Sequence, residues 1–183
     1  MKKVTGKDKK ALETLYSRYS PTLFPLLLKI LKNERIAEET LVDIFVIIWR
    51  RAGSFNFGQE NVYAWIIGIA RNKAVDLLRR NSEDNTIEEY TEDYETRYIL
   101  PVLSSGLASM DYKAAVEYKS KITDAFNELT DAQRYVIELA FFDGLTESEI
   151  AQRLNIPLPT VQSKIKIALN NLNEFLLKSR KKQ

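Results

Sequence analysis

The sequence predicts an all-α protein of two small helical domains, a four-helix one followed by a helix-turn-helix one, joined by an acidic linker. Three observations predict it. Apolar residues recur at helical rather than alternating spacing in most of the chain. Glycine, proline and clustered polar residues separate those periodic segments. Charge is segregated: residues 1–80 carry 15 Lys/Arg and 8 Asp/Glu, residues 81–120 carry 3 and 9, and residues 121–183 carry 9 and 8. The first block favours a polyanion and the middle one is repelled by it.

Ala11, Leu12, Leu15, Tyr16 and Tyr19 space a first amphipathic helix, which Ser20 and Pro21 end. Leu23, Leu26, Leu27, Ile30 and Leu31 form a second, with Pro25 kinking it or confining its regular part. A third spans about Glu34 to Arg51, with the apolar stripe Ile36, Ala37, Leu41, Ile44, Phe45 and Ile48, and with Trp49 in the core. Gly53 to Asn61 is a loop that carries Phe55 and Phe57. A fourth helix, Val62 to Arg80, mixes Trp65, Ile66, Ile69, Leu77 and Leu78 with Arg71, Lys73, Arg79 and Arg80.

From Asn81 to about Ser109 acidic residues dominate, and Pro101 with Ser104 to Gly106 precludes long regular structure. Tyr90, Tyr94 and Tyr98 recur every four residues, a spacing that suits a helix lying on a neighbour. A helix follows over about Asp111 to Glu128. Thr130 with Gln133 spells a capping box for the next, which ends near Phe142 with Gly144 as its C-terminal cap.

Thr146 with Glu149 is a second capping box, opening a helix whose apolar face is Ile150, Ala151 and Leu154. Asn155 tolerates the left-handed backbone of a tight turn, and Pro157 and Pro159 fit only at the start of a new helix. Val161, Ile165, Ala168, Leu169, Leu172 and Leu176 keep its period. This is a helix-turn-helix, whose second helix enters a DNA major groove.

With 183 residues and 45% apolar content the chain builds real cores. It holds no cysteine and no histidine, which excludes disulfides, thiolate zinc sites and imidazole acid–base catalysis. No cofactor or metal site is expected, nor any catalytic residue. Without a secretory pattern or a run of about 18 apolar residues, the reading is a soluble cytoplasmic protein.

Two separated blocks resemble one family. LYSRYSPTLF, AEETLVDIFVIIWRRAGSF and WIIGIARNKAVDLLRR resemble region 2 of the extracytoplasmic-function (group 4) sigma factors. LTDAQRYVIELAFFDGLTESEIAQRLNIPLPTVQSKIKIALNNL resembles their region 4. The resemblance covers about two thirds of the chain. It implies a non-catalytic, dissociable subunit of bacterial RNA polymerase. Region 2 (residues 1–80) binds the polymerase clamp and opens the −10 element; the acidic linker (81–110) threads toward the RNA path; region 4 (111–183) reads the −35 element. The implied partners are core RNA polymerase, through its β′ clamp and β flap, and promoter DNA. An anti-sigma factor is a further partner such proteins can have; membrane insertion is not implied.

By position, the resemblance assigns the third helix around Glu39, Asp43 and Phe45 to Arg50 to the clamp. It assigns Phe55, Asn56, Phe57, Tyr63, Trp65, Arg71, Asn72, Lys73 and Arg79 to the −10 DNA. Phe55 has a second reading, as a plug in the end of the bundle. The −35 set is Pro159, Thr160, Gln162, Ser163, Lys164 and Lys166. Two departures concern region 4: Pro159 stands where the family commonly has glycine, and the recognition helix carries Gln162, Ile167, Asn170, Asn171 and Asn173 where basic residues are frequent. Fewer cations mean fewer phosphate contacts, so affinity is expected to come from the whole polymerase assembly. A stand-alone helix-turn-helix regulator leaves the first 80 residues unexplained. A recombinase requires a nucleophilic Ser or Tyr beside an arginine cluster, and no residue stands out in that role.

Overall fold

Pro21 and Pro25 do not end the first helix. The computed structural model, which describes residues 1–57, 61–80 and 119–180, runs one helix, α2 (Lys9–Leu31), through both. Each interior proline costs about 3 kcal/mol and strands one carbonyl. Both prolines and Ser17 are exposed, so the two gaps in the hydrogen-bond ladder lie on the solvent side of the helix. The opposite face buries Leu15, Tyr19, Leu23, Leu27 and Ile30, each worth about 1.5–3 kcal/mol. Continuous burial outweighs two prolines on the wet side, and the two helices expected here are one.

Before it lies a short helix, α1 (Lys2–Thr5), in what the sequence suggests is only a basic start. Its Val4 is buried. The Thr5 hydroxyl donates to the Ala52 carbonyl (3.3 Å), and the Lys7 ammonium donates to the Trp49 carbonyl (2.6 Å). That ammonium also sits 5.0 Å over the Trp49 ring. Trp49 is therefore half-buried under Lys7, not in the core as its helical spacing suggests.

Lys32 closes α2 in the left-handed region at φ 54, and the Asn33 side chain accepts the Ile36 N–H (3.0 Å) to start α3 (Glu34–Arg51). A 3-10 turn, Ala52–Ser54, leads through the loop to α4 (Val62–Arg80). Helices α2, α3 and α4 pack pairwise around Leu23, Leu27, Ile44, Ile48, Ile66 and Val75. Among its described residues the first unit thus holds three long α-helices and one short one.

The chain divides into two compact units, Met1–Asn85 and Thr86–Gln183. The described part of the second holds α5 (Lys119–Asn127), α6 (Asp131–Phe141), α7 (Glu147–Leu154) and α8 (Leu158–Arg180). Both capping boxes form, Thr130 with Gln133 and Thr146 with Glu149. Gly144 takes φ 67 after α6, and Asn155 takes φ 50 between α7 and α8. Arg134 donates to the carbonyls of Phe126 (3.3 Å) and Leu129 (3.2 Å), tying α6 to the end of α5. Ala125, Val136, Leu139, Ile150, Val161, Ile165 and Ala168 join all four helices in one core. The acidic linker with its tyrosines, residues 58–60, the start of the helix expected from Asp111, and the end of the basic tail lie outside the described residues.

Thr146→Ala removes one half of a capping box and should cost about 1 kcal/mol. Thermal melting of the second unit should then shift down by roughly 4–8 °C.

Candidate nucleic-acid interface

The loop after α3 is built on a buried aromatic. The Phe55 N–H donates to Ala52 O (3.4 Å) as the 3-10 turn reverses the chain, and the ring drops into the bundle at 4% exposure. Phe57, two residues on, is 47% exposed. The Phe55 ring contacts Phe57 (4.9 Å) and Trp65 (5.3 Å) edge-on, pairings worth roughly 0.5–1.5 kcal/mol each. Phe55 is the plug, and its assignment to DNA stacking is corrected: a ring this buried offers no face to a base. Phe57 is the available face, braced from beneath. Asn56 is exposed beside it.

Asn61 starts α4, its side-chain oxygen accepting the N–H groups of Tyr63 (2.8 Å) and Ala64 (3.2 Å). Tyr63 is half-buried against Tyr19, with ring centroids 6.2 Å apart. Trp65, Asn72, Lys73 and Arg79 are half-buried along α4. Arg71 departs from expectation: it is 2% exposed. Burial lowers its guanidinium to about 10, so it is still a cation at neutral pH. Enclosed in the bundle, it cannot reach a phosphate, and its place in the −10 set is corrected to a core residue.

On α3, Glu39 pairs with Arg35 (2.9 Å), and Arg50 is exposed. Asp43 lies 3.6 Å from the Lys73 ammonium of α4, joining residues that the sequence assigns to different surfaces. At their exposure the pair contributes at most about 1 kcal/mol. Phe45 is buried, with its ring 4.8 Å from that of Tyr16; its assignment to the clamp is corrected, because the period of α3 turns it inward. Two apolar residues lie outward, Val46 at 42% exposure, within the stretch given to the clamp, and Val42 at 57%, which the sequence reasoning missed. Their signal was present: two β-branched apolar residues four apart, off the core stripe, among charges.

In the second unit α8 buries Val161, Ile165, Ala168 and Leu169 and exposes Pro159, Gln162, Ser163 and Lys166 at helical spacing. Thr160 and Lys164 are half-buried at the margin of that face. Pro159 sits in the first turn, where no intrahelical donor is needed. The Gln162 amide NH₂ donates to the Glu147 carboxylate of α7 (2.9 Å). That bond orients the amide and leaves its oxygen to accept. Leu158, at the helix start, is a further exposed apolar residue that sequence reasoning missed.

Among the described residues no cluster of His, Cys, Asp and Glu could hold a metal ion. No helix there is long and apolar enough to cross a membrane.

The Sigma-70 region 2 family matches residues 15–83, and the Sigma-70 region 4 family matches residues 119–172. The ECF RNA polymerase sigma factor SigK of Mycobacterium tuberculosis (strain ATCC 25618 / H37Rv) is 29% identical over 177 residues, covering 96% of this chain and 91% of its own. SigK of Mycobacterium sp. (strain JLS) is 28% identical over 184 residues, at 96% and 88% coverage. Among solved structures, Rhodobacter sphaeroides SigE in complex with the anti-sigma ChrR is 28% identical, covers 92% of this chain and 90% of its own, and has a TM-score of 0.45. With both sigma regions present in order and relatives matched over nearly their whole length, the chain belongs to the extracytoplasmic-function sigma factors of the sigma-70 family.

Proposed function

We propose that this alternative RNA polymerase sigma factor divides its work among three surfaces. The outer face of α3, with Val42 and Val46 set among Glu39, Asp43 and Arg50, docks on the clamp of the core polymerase; a small apolar centre with a charged rim is how stable interfaces are built. Phe57 stacks a flipped base of the −10 element, and Asn56, Tyr63, Trp65, Asn72, Lys73 and Arg79 support the opened strand. The exposed face of α8 reads the −35 element, with Gln162 at its centre. The chain is regulatory and has no chemistry of its own. It acts where the polymerase acts, in the cytoplasm, and the acidic charge of residues 81–110 suits a basic nucleic-acid channel that nascent RNA later claims. An anti-sigma protein that covers the α3 face would hold it inactive.

The observation that carries this reading is Phe57, an exposed aromatic braced by the buried Phe55 and Trp65 in the unit that matches region 2. A base stacked on an aromatic gains about 1–3 kcal/mol, enough to offset the few kcal/mol of unstacking.

The −35 assignment has its own test. With Glu147 holding its NH₂, Gln162 offers its oxygen to a base-edge donor, and a good base contact is worth about 1–3 kcal/mol. Gln162→Ala should lower run-off transcription from a promoter the reconstituted holoenzyme uses by about fivefold or more. It should lose nothing on the same template with its −35 element scrambled. Equal losses on both templates would remove Gln162 from base readout.

A further inference from the structure

Met1 to Thr14 precede the segment that matches region 2, and they build a feature that the three surfaces leave unused. Helix α1 packs against α2, and an open cavity of about 640 Å³ lies between them. Its walls carry Lys2, Lys3, Lys10 and Arg18 against one carboxylate, Asp8. That carboxylate already accepts the Ala11 N–H at 3.2 Å to cap α2. None of the four cations has an ion-pair partner among the described residues. The buried Val4 and the bonds from Thr5 to Ala52 and from Lys7 to Trp49 hold α1 against the bundle, so Lys2 and Lys3 of α1 line the cavity together with Lys10 and Arg18 of α2.

Gathered like charges repel one another, and an anion among them gains from each. The cavity also has a direction. Lys2 lines it and places its ammonium 6.0 Å from the centroid of the Phe57 ring. We propose that this cavity is a phosphate site that takes the sugar-phosphate backbone of the single strand whose base Phe57 captures. The proposal rests on the Phe57 reading for its strand. A free small anion would satisfy the same cations, but it would make no use of their continuity with Phe57.

The test is binding of a labelled 20-nucleotide single strand of mixed sequence to the full chain, followed by fluorescence anisotropy across a salt series. Single-strand binding loses affinity with salt at a slope of about 0.7 per phosphate contact. The triple variant Lys3→Gln, Lys10→Gln, Arg18→Gln should therefore flatten the slope by about 2 and weaken binding about tenfold or more at low salt. Lys3→Arg, Lys10→Arg, Arg18→Lys should restore both. The distant triple Lys29→Gln, Lys32→Gln, Arg35→Gln should leave the slope in place. Phe57→Ala should weaken binding with the slope unchanged, because stacking releases no counterions. An unchanged slope in the cavity triple, or an equal flattening in the distant one, overturns the site. If inorganic pyrophosphate binds the cavity while the strand slope is unaffected, the site holds a small anion and the strand path is likewise overturned. A flattened slope beside a Phe57→Ala variant that binds normally keeps the phosphate site and removes the base-capture reading instead.

Discussion

Holoenzyme carrying Phe57→Ala is expected to bind core polymerase normally and to open the −10 region about ten- to a hundredfold less well. The size follows from losing one stacked base at about 1–3 kcal/mol, with each 1.4 kcal/mol a factor of ten. The ring is 47% exposed, and it contributes little to the bundle beyond its edge contact with Phe55. Permanganate reactivity of unpaired thymines reads the opening, and Phe57→Tyr should retain most of it. Phe55→Ala separates pedestal from face: truncating this buried ring should cost about 3–5 kcal/mol of stability and lower the melting temperature of the first unit, which Phe57→Ala should leave nearly in place. If Phe57→Ala instead weakened polymerase binding and left opening intact, the base-capture assignment would be lost.

The double substitution Val42→Asp with Val46→Asp should reduce affinity for core polymerase by at least about thirtyfold. A buried apolar anchor at the centre of an interface typically contributes about 2 kcal/mol or more. Both side chains already face solvent, so the change should move stability by only about 0.5 kcal/mol at each site. Phe45→Ala makes the contrasting case: it empties a place in the core beside Tyr16, so its first effect should be on melting. Competition titration against labelled wild-type chain measures the affinity. An unchanged dissociation constant for the double variant would place the clamp contact elsewhere.

These variants also mark how far the sequence could be read. Features set by a few neighbouring residues were legible: Thr130 with Gln133, Thr146 with Glu149 and the left-handed Asn155 each form as their spacing implies. The all-α class followed for the same reason, since a helical period is a local property. What failed depended on other segments. Pro21 and Pro25 read as a break because the penalty is local, whereas the burial that overrides it comes from packing on α3 and α4. Arg71 was assigned by residue type and family position, but the depth of the bundle encloses it; Phe45 and Phe55 carried two readings each, and the structure keeps the inward one, Phe45 in the apolar stripe of α3 and Phe55 as the plug. Val42 lies off the core-facing stripe and outside the stretch matched to the clamp, so neither signal marked it. The contacts between Asp43 and Lys73 and between Gln162 and Glu147 join separate helices, and no periodicity within one helix announces them. The cavity beside α2 depends on a four-residue helix too short to carry a periodic signal.

The central claim is that this chain confers promoter selectivity on core RNA polymerase, and reconstituted transcription tests it most directly. Full-length chain mixed with bacterial core enzyme should elute as one complex and should direct discrete run-off transcripts from a pool of genomic promoter fragments that core enzyme alone does not transcribe. The transcribed fragments should share a −35 and a −10 element. A chain that binds no bacterial core enzyme, or that binds and yields only the transcripts of core alone, would contradict it.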